Sequence, residues 1–226
     1  MDDIQLSAKG KELIEFYKQM ANGYESYDLN GNIIKVEKEH AYTLFNITMF
    51  KNILRPIFKQ NKIKTVLDYG CGGSDWDKKG FADTNLNAIE YFDLAKVYKY
   101  EPARGINEKQ KVDCVVCWDV LEHIFITDVS KILRDIFSYS NKMVLLNIAC
   151  YKAGALLPNR ENAHVTVRDH TWWKGFLDCI SMEYPDIKIG LFCSLSRSDI
   201  KFFDIWNAGK WENSETYVTK CNLFKF

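Results

Sequence analysis

A glycine turn directly behind an apolar segment is the part of this chain best suited to holding a ligand. Residues 65–67 predict a strand, and Asp68 ends it two residues before Gly70. Gly70 and Gly72 can adopt positive φ and carry no Cβ, so the backbone can approach a bound molecule closely. The stretch therefore predicts a loop that cradles a nucleotide-like ligand.

Two further strand ends carry polar groups. Glu101 ends the next predicted strand, 31 residues after Gly70, and Trp118 and Asp119 close a third. A carboxylate at the position of Glu101 can accept both hydroxyls of a ribose, although alone it would be read as a solvated acid. Because ligands of open parallel sheets bind beyond the carboxyl ends of the strands, we expect these groups to line one crevice.

The elements that must position these residues alternate along the chain. Apolar runs predict strands over Lys64–Asp68, Lys96–Glu101, Val112–Trp118 and Lys142–Ala149. The apolar spacing between 129 and 137 predicts an amphipathic helix between the last two of them. This rhythm predicts an α/β fold with a doubly wound, mostly parallel sheet and right-handed crossovers.

The N-terminal residues 1–61 predict a helical segment. Two amphipathic stripes carry this prediction, the first opening near Ser7 and the second running from Leu44 to Phe58. We expect both stripes to pack on the core. In the alternative, aromatic residues of the first helix close over a ligand pocket: Phe16, Tyr17, Tyr24 and Tyr27.

The C-terminal residues predict a helix and two strands. Asp169 is the expected N-cap of a helix that contains Trp172 and Trp173, which we expect to divide between the core and a pocket wall. A strand over Ile187–Cys193 follows. A polar and aromatic stretch, residues 194–216, separates it from a last strand over residues 217–223.

Length and composition indicate one globular domain. The 226 residues are 47% hydrophobic and 27% charged, with a formal net charge of zero. Long-range attraction to nucleic acid or anionic membrane is therefore not built into the whole molecule. We predict a single domain over 1–226: an N-terminal helical cap (1–61), a cofactor-binding half (62–149) and a substrate-side half (150–226).

The N-terminus and the cysteines predict a cytoplasmic location. The acidic start shows no signal peptide, and no apolar run approaches the ~18 residues that a membrane span needs. Seven irregularly spaced cysteines fit reduced thiols. Cys114 and Cys117 lie three apart on a predicted strand and face opposite sides, so they cannot share a metal ion, and no metal site is predicted.

Three segments in order resemble the first, second and fourth strand-end motifs of class I S-adenosylmethionine-dependent methyltransferases. They are Val66–Gly72, Tyr100–Pro102 and Cys117–Ile124. Further segments resemble a poorly characterised bacterial and phage branch of that superfamily: Asn147–Tyr151, Leu157–His164 and Trp172–Trp173. The resemblance covers about residues 40–180.

The resemblance implies a Rossmann-like, seven-stranded sheet whose last strand is antiparallel, with S-adenosyl-L-methionine as the cofactor. It implies that Asp68 and the turn behind it hold the methionine half, through Gly70, Cys71, Gly72 and Ser74. Glu101 would hold the ribose, and Trp118 and Asp119 would lie near the sulfonium and adenosine. An acid before the turn suits a cationic sulfonium, whereas it would repel the pyrophosphate of a dinucleotide.

Two departures from the family's pattern stand out. Ser74 occupies the position where the family usually has a third glycine. Only residues 103–111 separate the second strand from the next, which is too short for a helical crossover, so the family's third strand must be vestigial. Asn107 or Glu108 would then take the place of the acid that contacts the adenine.

Two histidines are the candidate catalytic residues. Transfer of a methyl group is an in-line displacement, and an oxygen or nitrogen acceptor needs a base to remove its proton. His123 lies just past a cofactor-binding strand, and His164 follows the last parallel strand, where substrate enters in the family. Asn162 offers amide contacts to a polar acceptor. The alternative for each histidine is a hydrogen bond within its own loop.

The favoured function is transfer of a methyl group to an oxygen or nitrogen of a small molecule or saccharide. A nucleic-acid base methyltransferase would carry an Asn/Asp-Pro-Pro-aromatic tetrapeptide where this chain has Trp118–Leu121. That class is therefore disfavoured, although RNA and modified nucleotides remain alternatives. Another alternative is a protein that binds or cleaves the cofactor without methyl transfer.

Overall fold

Before the central sheet, the chain forms a helix, a hairpin and two short helices. The computed structural model describes residues 4–28, 31–196 and 201–207. The elements are α1 (Ala8–Met20), β1 (Gly23–Tyr27), β2 (Ile33–Glu37), α2 (Phe45–Met49) and α3 (Lys51–Gln60). Ser7 caps α1 by accepting a hydrogen bond from the Gly10 amide at 3.0 Å, as the predicted start near Ser7 requires.

The hairpin corrects the prediction of a helical segment throughout residues 1–61. β1 and β2 pair in antiparallel register, with Gly23 opposite Glu37 and Tyr27 opposite Ile33. The side chain of Asp28 accepts a hydrogen bond from the Asn32 amide at 2.8 Å and closes the connection. β-branched residues in β2 and this side-chain-stabilised turn favour strand pairing over helix.

A seven-stranded, mostly parallel sheet forms the centre of the molecule. Its strands are β3 (Thr65–Tyr69), β4 (Lys96–Glu101), β5 (Ile106–Asn107), β6 (Val112–Trp118), β7 (Ser140–Ala149), β8 (Lys188–Ser194) and β9 (Lys201–Trp206). Their order is β5-β4-β3-β6-β7-β8-β9, with β5 and β9 antiparallel at the two edges. The chain reverses its direction of travel across the sheet at β3, where β4 pairs on one side and β6 on the other.

The α/β prediction and the Rossmann-like sheet are confirmed. The shortened third strand is also observed, because β5 has two residues and pairs antiparallel with β4. The antiparallel edge strand β9 lies inside the stretch 194–216, so the prediction of a polar and aromatic spacer there is wrong at 201–206. The strand predicted over 217–223 lies outside the described residues.

Helices cover both faces of the sheet. On one face, α5 (Val129–Tyr139) and α6 (His170–Ser181) pack through Leu133 and Trp173 among the buried residues. On the other face, α3 and the short α4 (Ala88–Tyr91) pack with the buried Trp76. Cys114 belongs to the second cluster and Cys117 to the first, as expected of residues three apart on a strand.

Helix α1 lies across the carboxyl edge of the sheet and is fixed by polar contacts. The buried Asp128 carboxylate accepts hydrogen bonds from the Ser7 amide at 3.0 Å and from the Ser7 hydroxyl at 2.6 Å. The Tyr17 hydroxyl donates to the Ala163 carbonyl at 2.8 Å. Within the described ranges, no helix is long and apolar enough to cross a membrane.

Candidate functional site

A cavity of about 170 Å³ opens at the carboxyl ends of β3, β4 and β6. All eight residues predicted to bind the cofactor line it: Asp68, Gly70, Cys71, Gly72, Ser74, Glu101, Trp118 and Asp119. Because the strand order changes direction at β3, the ends of three strands diverge here and leave a crevice between their loops. The structure therefore brings the predicted residues together at the switch point.

The glycine loop has the backbone geometry for which glycine is required. Gly70 has φ of 78° and Gly72 has φ of 54°. A Cβ on Gly70 would lie 2.4 Å from Val120 Cγ2, and one on Gly72 would lie 2.5 Å from Tyr42 Cβ. The Gly73 amide donates to the Tyr42 carbonyl at 2.7 Å. Neither glycine accommodates a side chain, since both the backbone angles and the space exclude it.

Asp68 is a buried carboxylate at the end of β3. The Trp76 indole N–H donates to its Oδ2 at 2.7 Å. Burial raises the pKa of Asp68 to about 7, although the hydrogen bond from Trp76 opposes this. A carboxylate with so little solvation gains strongly from a cation placed in the cavity beside it.

Glu101 holds the end of β4 against the glycine loop. Its Oε2 accepts from the Gly72 amide at 2.9 Å, and its Oε1 accepts from the Ala103 amide at 3.0 Å. Each oxygen retains a second lone pair for a hydroxyl group of a ligand. Burial raises the pKa of Glu101, whereas the two amides and Arg104 lower it.

Trp118 and Asp119 form the third strand end. The Trp118 ring lies 5.4 Å from the ring of Phe50 and 5.2 Å from the ring of Phe192, which fixes it in the cavity wall. Asp119 has φ of 54°, a backbone region that aspartate tolerates better than most residues. The Asn147 side-chain amide donates to its carboxylate, and burial raises the pKa of Asp119 to about 7.

Two lining residues were not identified from the sequence, and a third was named only in one alternative. Tyr42 contacts the glycine loop from the N-terminal segment, Arg104 follows Glu101 by three positions, and Tyr17 reaches the cavity from α1. Arg104 could have been found from its place beside the ribose-type acid. Tyr17 appeared only within the alternative of an aromatic pocket, and Tyr42 carries no local signal because its contact is long-range.

The cavity wall contains buried donors without partners. Among the described residues, Tyr42 Oη, Arg104 Nε and Trp118 Nε1 make no hydrogen bond. Buried polar groups of folded proteins are nearly always paired, so these atoms point to a polar ligand. With three carboxylates and one arginine on the wall, the cavity suits a ligand that carries positive charge together with hydrogen-bond acceptors.

A second cavity of about 350 Å³ adjoins the first on the side of β5. Asn107 lines it, together with Tyr100 and Gly105, and the two cavities share Pro102 and Val120. Glu108 lies on the exposed strand edge, where its carboxylate accepts from the Lys99 amide at 2.9 Å. Of the two predicted adenine contacts, only Asn107 lines one of these two cavities.

The two candidate catalytic histidines lie together. His123 lines both cavities, and its ring centroid is 4.8 Å from that of His164. His123 Nδ1 is 2.9 Å from the Ala163 carbonyl, and His164 Nδ1 contacts the Tyr151 carbonyl. Burial and the neighbouring His164 lower the pKa of His123 to about 3, so this imidazole is neutral at physiological pH.

Several acceptor-side predictions are corrected. The Asn162 amide bonds both the N–H and the carbonyl of Ala153 at 2.9 Å, so it organises its own loop instead of an acceptor. Trp173 is buried in the core, and Trp172 stacks on Phe176 outside both cavities. Of the four aromatic residues proposed to close a pocket, only Tyr17 lines either cavity.

Comparisons with known proteins agree with this geometry. A family model described as a methyltransferase domain matches residues 38–198, which is more than half of the chain. The matched range contains the glycine loop, the three strand-end acids and the histidine pair. Searches of curated proteins and of solved structures found no match.

Proposed function

The chain belongs to the methyltransferase domain family, whose members use S-adenosylmethionine as methyl donor, and we propose that it methylates an oxygen or nitrogen of a small molecule or saccharide. The observation that carries this proposal is the meeting of the glycine loop with Asp68, Glu101 and Asp119 on one cavity. Three poorly solvated carboxylates favour a cationic sulfonium and ammonium over a pyrophosphate.

The residues of the cavity fit S-adenosylmethionine. Asp68 and the glycine loop would hold the methionine half, and Arg104 supplies an unpartnered N–H for its carboxylate. Glu101 presents lone pairs to the ribose hydroxyls. The cavity beside Asn107 would take the adenine, because it adjoins the Glu101 end of β4.

When bound, the cofactor supplies an electrophilic methyl group whose C–S bond breaks as the acceptor attacks in line. Trp118 and Phe50 exclude water from one wall of the cavity, which strengthens the charge interactions inside it. Val120 lies behind Gly70, so the loop cannot retreat from the ligand. His123 lines the same cavity and would lie beside the acceptor, with His164 in ring contact behind it.

The position of helix α1 over the cavity favours a small acceptor. Helix α1 covers the entrance through Ile14 and Tyr17, and it is fixed to the body of the protein by Ser7 and Tyr17. A duplex or a folded RNA would have to displace this helix. The formal net charge of zero also provides no general attraction for a polyanion.

Calorimetry with S-adenosylmethionine tests the cofactor site. We expect Asp68→Asn and Glu101→Gln each to weaken binding by at least tenfold, because each removes a charge that faces the cavity. Glu15→Gln, an exposed acid on α1, is the matched control and should bind as the unaltered protein does. Unchanged affinity in both site variants would remove the assignment of these acids.

The acceptor class needs a separate experiment. Cell extract is divided by ultrafiltration and incubated with the protein and methyl-labelled cofactor. We expect label in the low-molecular-mass fraction. Label in ribonuclease-sensitive material would instead identify an RNA methyltransferase, and cofactor consumption without any labelled acceptor would identify a cofactor-cleaving enzyme.

A further inference from the structure

Three metal-ligating side chains meet beside the cofactor cavity. Glu122, His123 and His164 each offer one ligand atom, and these atoms lie within 4.8 Å of one another. Glu122 and His123 belong to one short helical turn after β6, whereas His164 comes from the loop after β7. The contact thus joins residues separated by about forty positions in the chain.

Both imidazoles have the hydrogen-bond partner that metal-ligating histidines usually have. The Nδ1 atom of each ring faces a backbone carbonyl, which only accepts hydrogen bonds, so Nδ1 carries the proton. In this tautomer Nε2 carries the lone pair. A backbone carbonyl that fixes the ring through the other nitrogen is the common outer-shell partner of a metal-bound histidine.

Glu122 supplies the second, independent observation. It is 0% exposed, and its Oε1 accepts from the Ala149 amide at 2.9 Å. Its Oε2 has no hydrogen-bond partner among the described residues. A buried carboxylate oxygen without a partner is costly, and among the described residues the other members of this cluster are the two histidines.

We propose that Glu122, His123 and His164 bind one divalent metal ion of the zinc type. Two imidazoles and one carboxylate form a donor set that suits zinc and its transition-metal neighbours better than magnesium or calcium. The neighbouring ligand atoms of a tetrahedral zinc site are about 3.3 Å apart, so the cluster must contract on binding. This proposal revises the sequence prediction that the chain has no metal site.

The open coordination position would face the methyl-transfer site, because His123 lines the cofactor cavity. A divalent ion there lowers the pKa of an acceptor hydroxyl. The hydroxyl proton passes to water, the oxygen lone pair forms the new C–O bond, and the electrons of the broken C–S bond stay on sulfur. This role rests on the proposed function, whereas metal binding itself does not.

Calorimetry of the full chain, stripped of metal by a chelator and titrated with zinc chloride, tests the site. We expect one ion bound at the cluster, and binding at least tenfold weaker in His164→Gln and Glu122→Gln. His170→Gln is the matched control, because His170 lies at the start of α6 and packs on Phe202. It should bind zinc as the unaltered protein does.

Cobalt gives a readout that distinguishes this site from thiol sites. Cobalt bound to imidazole and carboxylate lacks the sulfur charge-transfer bands that the exposed Cys179 would produce. The proposal is supported if the cobalt spectrum lacks those bands and if this spectrum disappears in His164→Gln. Zinc affinity unchanged in His164→Gln, or no zinc binding by the intact protein, would overturn it.

Two measurements separate misfolding and cofactor loss from metal loss. Circular dichroism and a melting curve check each variant, and the partly exposed His164 keeps the test usable if Glu122→Gln fails to fold. S-adenosylmethionine binding is titrated in the same samples. A protein that binds the cofactor but no zinc refutes the metal site alone, while one that binds zinc but no cofactor refutes the proposed cofactor site alone.

Discussion

The two sides of the cavity are built in different ways. The proposed cofactor side consists of strand ends and a glycine turn, in which each residue is positioned by the backbone immediately around it. On the proposed acceptor side, side chains come from three separate segments: Tyr17 from α1 and His123 after β6 line the cavity, and His164 after β7 packs against His123. The cofactor side is therefore a local structure, whereas the acceptor side depends on long-range packing.

This difference predicts opposite responses to substitution. On the cofactor side, a substitution that restricts the backbone should weaken cofactor binding strongly, because the glycine loop surrounds the ligand with main chain. On the acceptor side, a single side-chain change should disturb contacts between segments and leave the cradle in place. Substitutions on each side test this contrast.

The largest effect is expected for Gly70→Ala. The new methyl group would lie 2.4 Å from Val120 Cγ2, on a residue whose φ is 78°. We expect a loss of about 2–4 kcal/mol in the free energy of unfolding and at least a tenfold loss of cofactor affinity. Denaturant unfolding and calorimetry measure the two quantities.

Gly175→Ala is the control for that substitution. Gly175 lies inside α6, and a Cβ there would meet no atom within 4 Å. Alanine should therefore raise the free energy of unfolding by about 0.5–1 kcal/mol. If Gly70→Ala behaved like Gly175→Ala, the cofactor side would not be determined by its backbone.

An intermediate effect is expected from the titration of Asp68. Since burial raises its pKa to about 7, the carboxylate that favours a cation forms between pH 6 and pH 8. Cofactor affinity should rise about tenfold over this range. In Asp68→Asn, cofactor affinity should still rise with pH but less steeply, because the pKa of Asp119 is also raised to about 7. Affinity that stays flat with pH in the unaltered protein would contradict this expectation.

The same substitution has a predicted effect on stability. The unfolded chain releases the Asp68 proton near pH 4, whereas the folded chain retains it to about pH 7. The contribution of this group to stability is therefore lost as the pH rises from about 4 to about 7. Asp68→Asn should stabilise the ligand-free protein at pH 8 by about 1–3 kcal/mol, measured by denaturant unfolding, with little gain at pH 4.

The smallest effect is expected for Tyr17→Phe. It removes the hydrogen bond to the Ala163 carbonyl and should cost about 1 kcal/mol in the free energy of unfolding. Cofactor affinity should change less than in Asp68→Asn. Tyr98→Phe is the control, because the Tyr98 hydroxyl makes no hydrogen bond in the described part of the chain. An equal loss of affinity in Tyr17→Phe and Asp68→Asn would erase the distinction between the two sides.

Sequence reasoning succeeded where local chemistry determines the structure. Gly70, Asp68 and Glu101 could be placed because a strand end followed by glycine has few alternatives. It failed at residues 23–37, where strand pairing prevails over the helical stripe of the flanking segment. It also passed over Glu122, although this residue adjoins His123, because no pattern in the sequence shows that one carboxylate oxygen is buried without a partner.

The contact between Ser7 and Asp128 has a consequence for the order of folding. It closes a loop of 121 residues, so α1 is synthesised early but cannot dock until the turn before α5 exists. The sheet and its glycine loop can form first, and α1 docks on them afterwards. Because the contacts that hold α1 reach distant loops and are not part of the sheet, its amides should exchange hydrogen faster than those of β3 and β6. Opening of α1 then gives the cofactor a route into the cavity without unfolding the sheet.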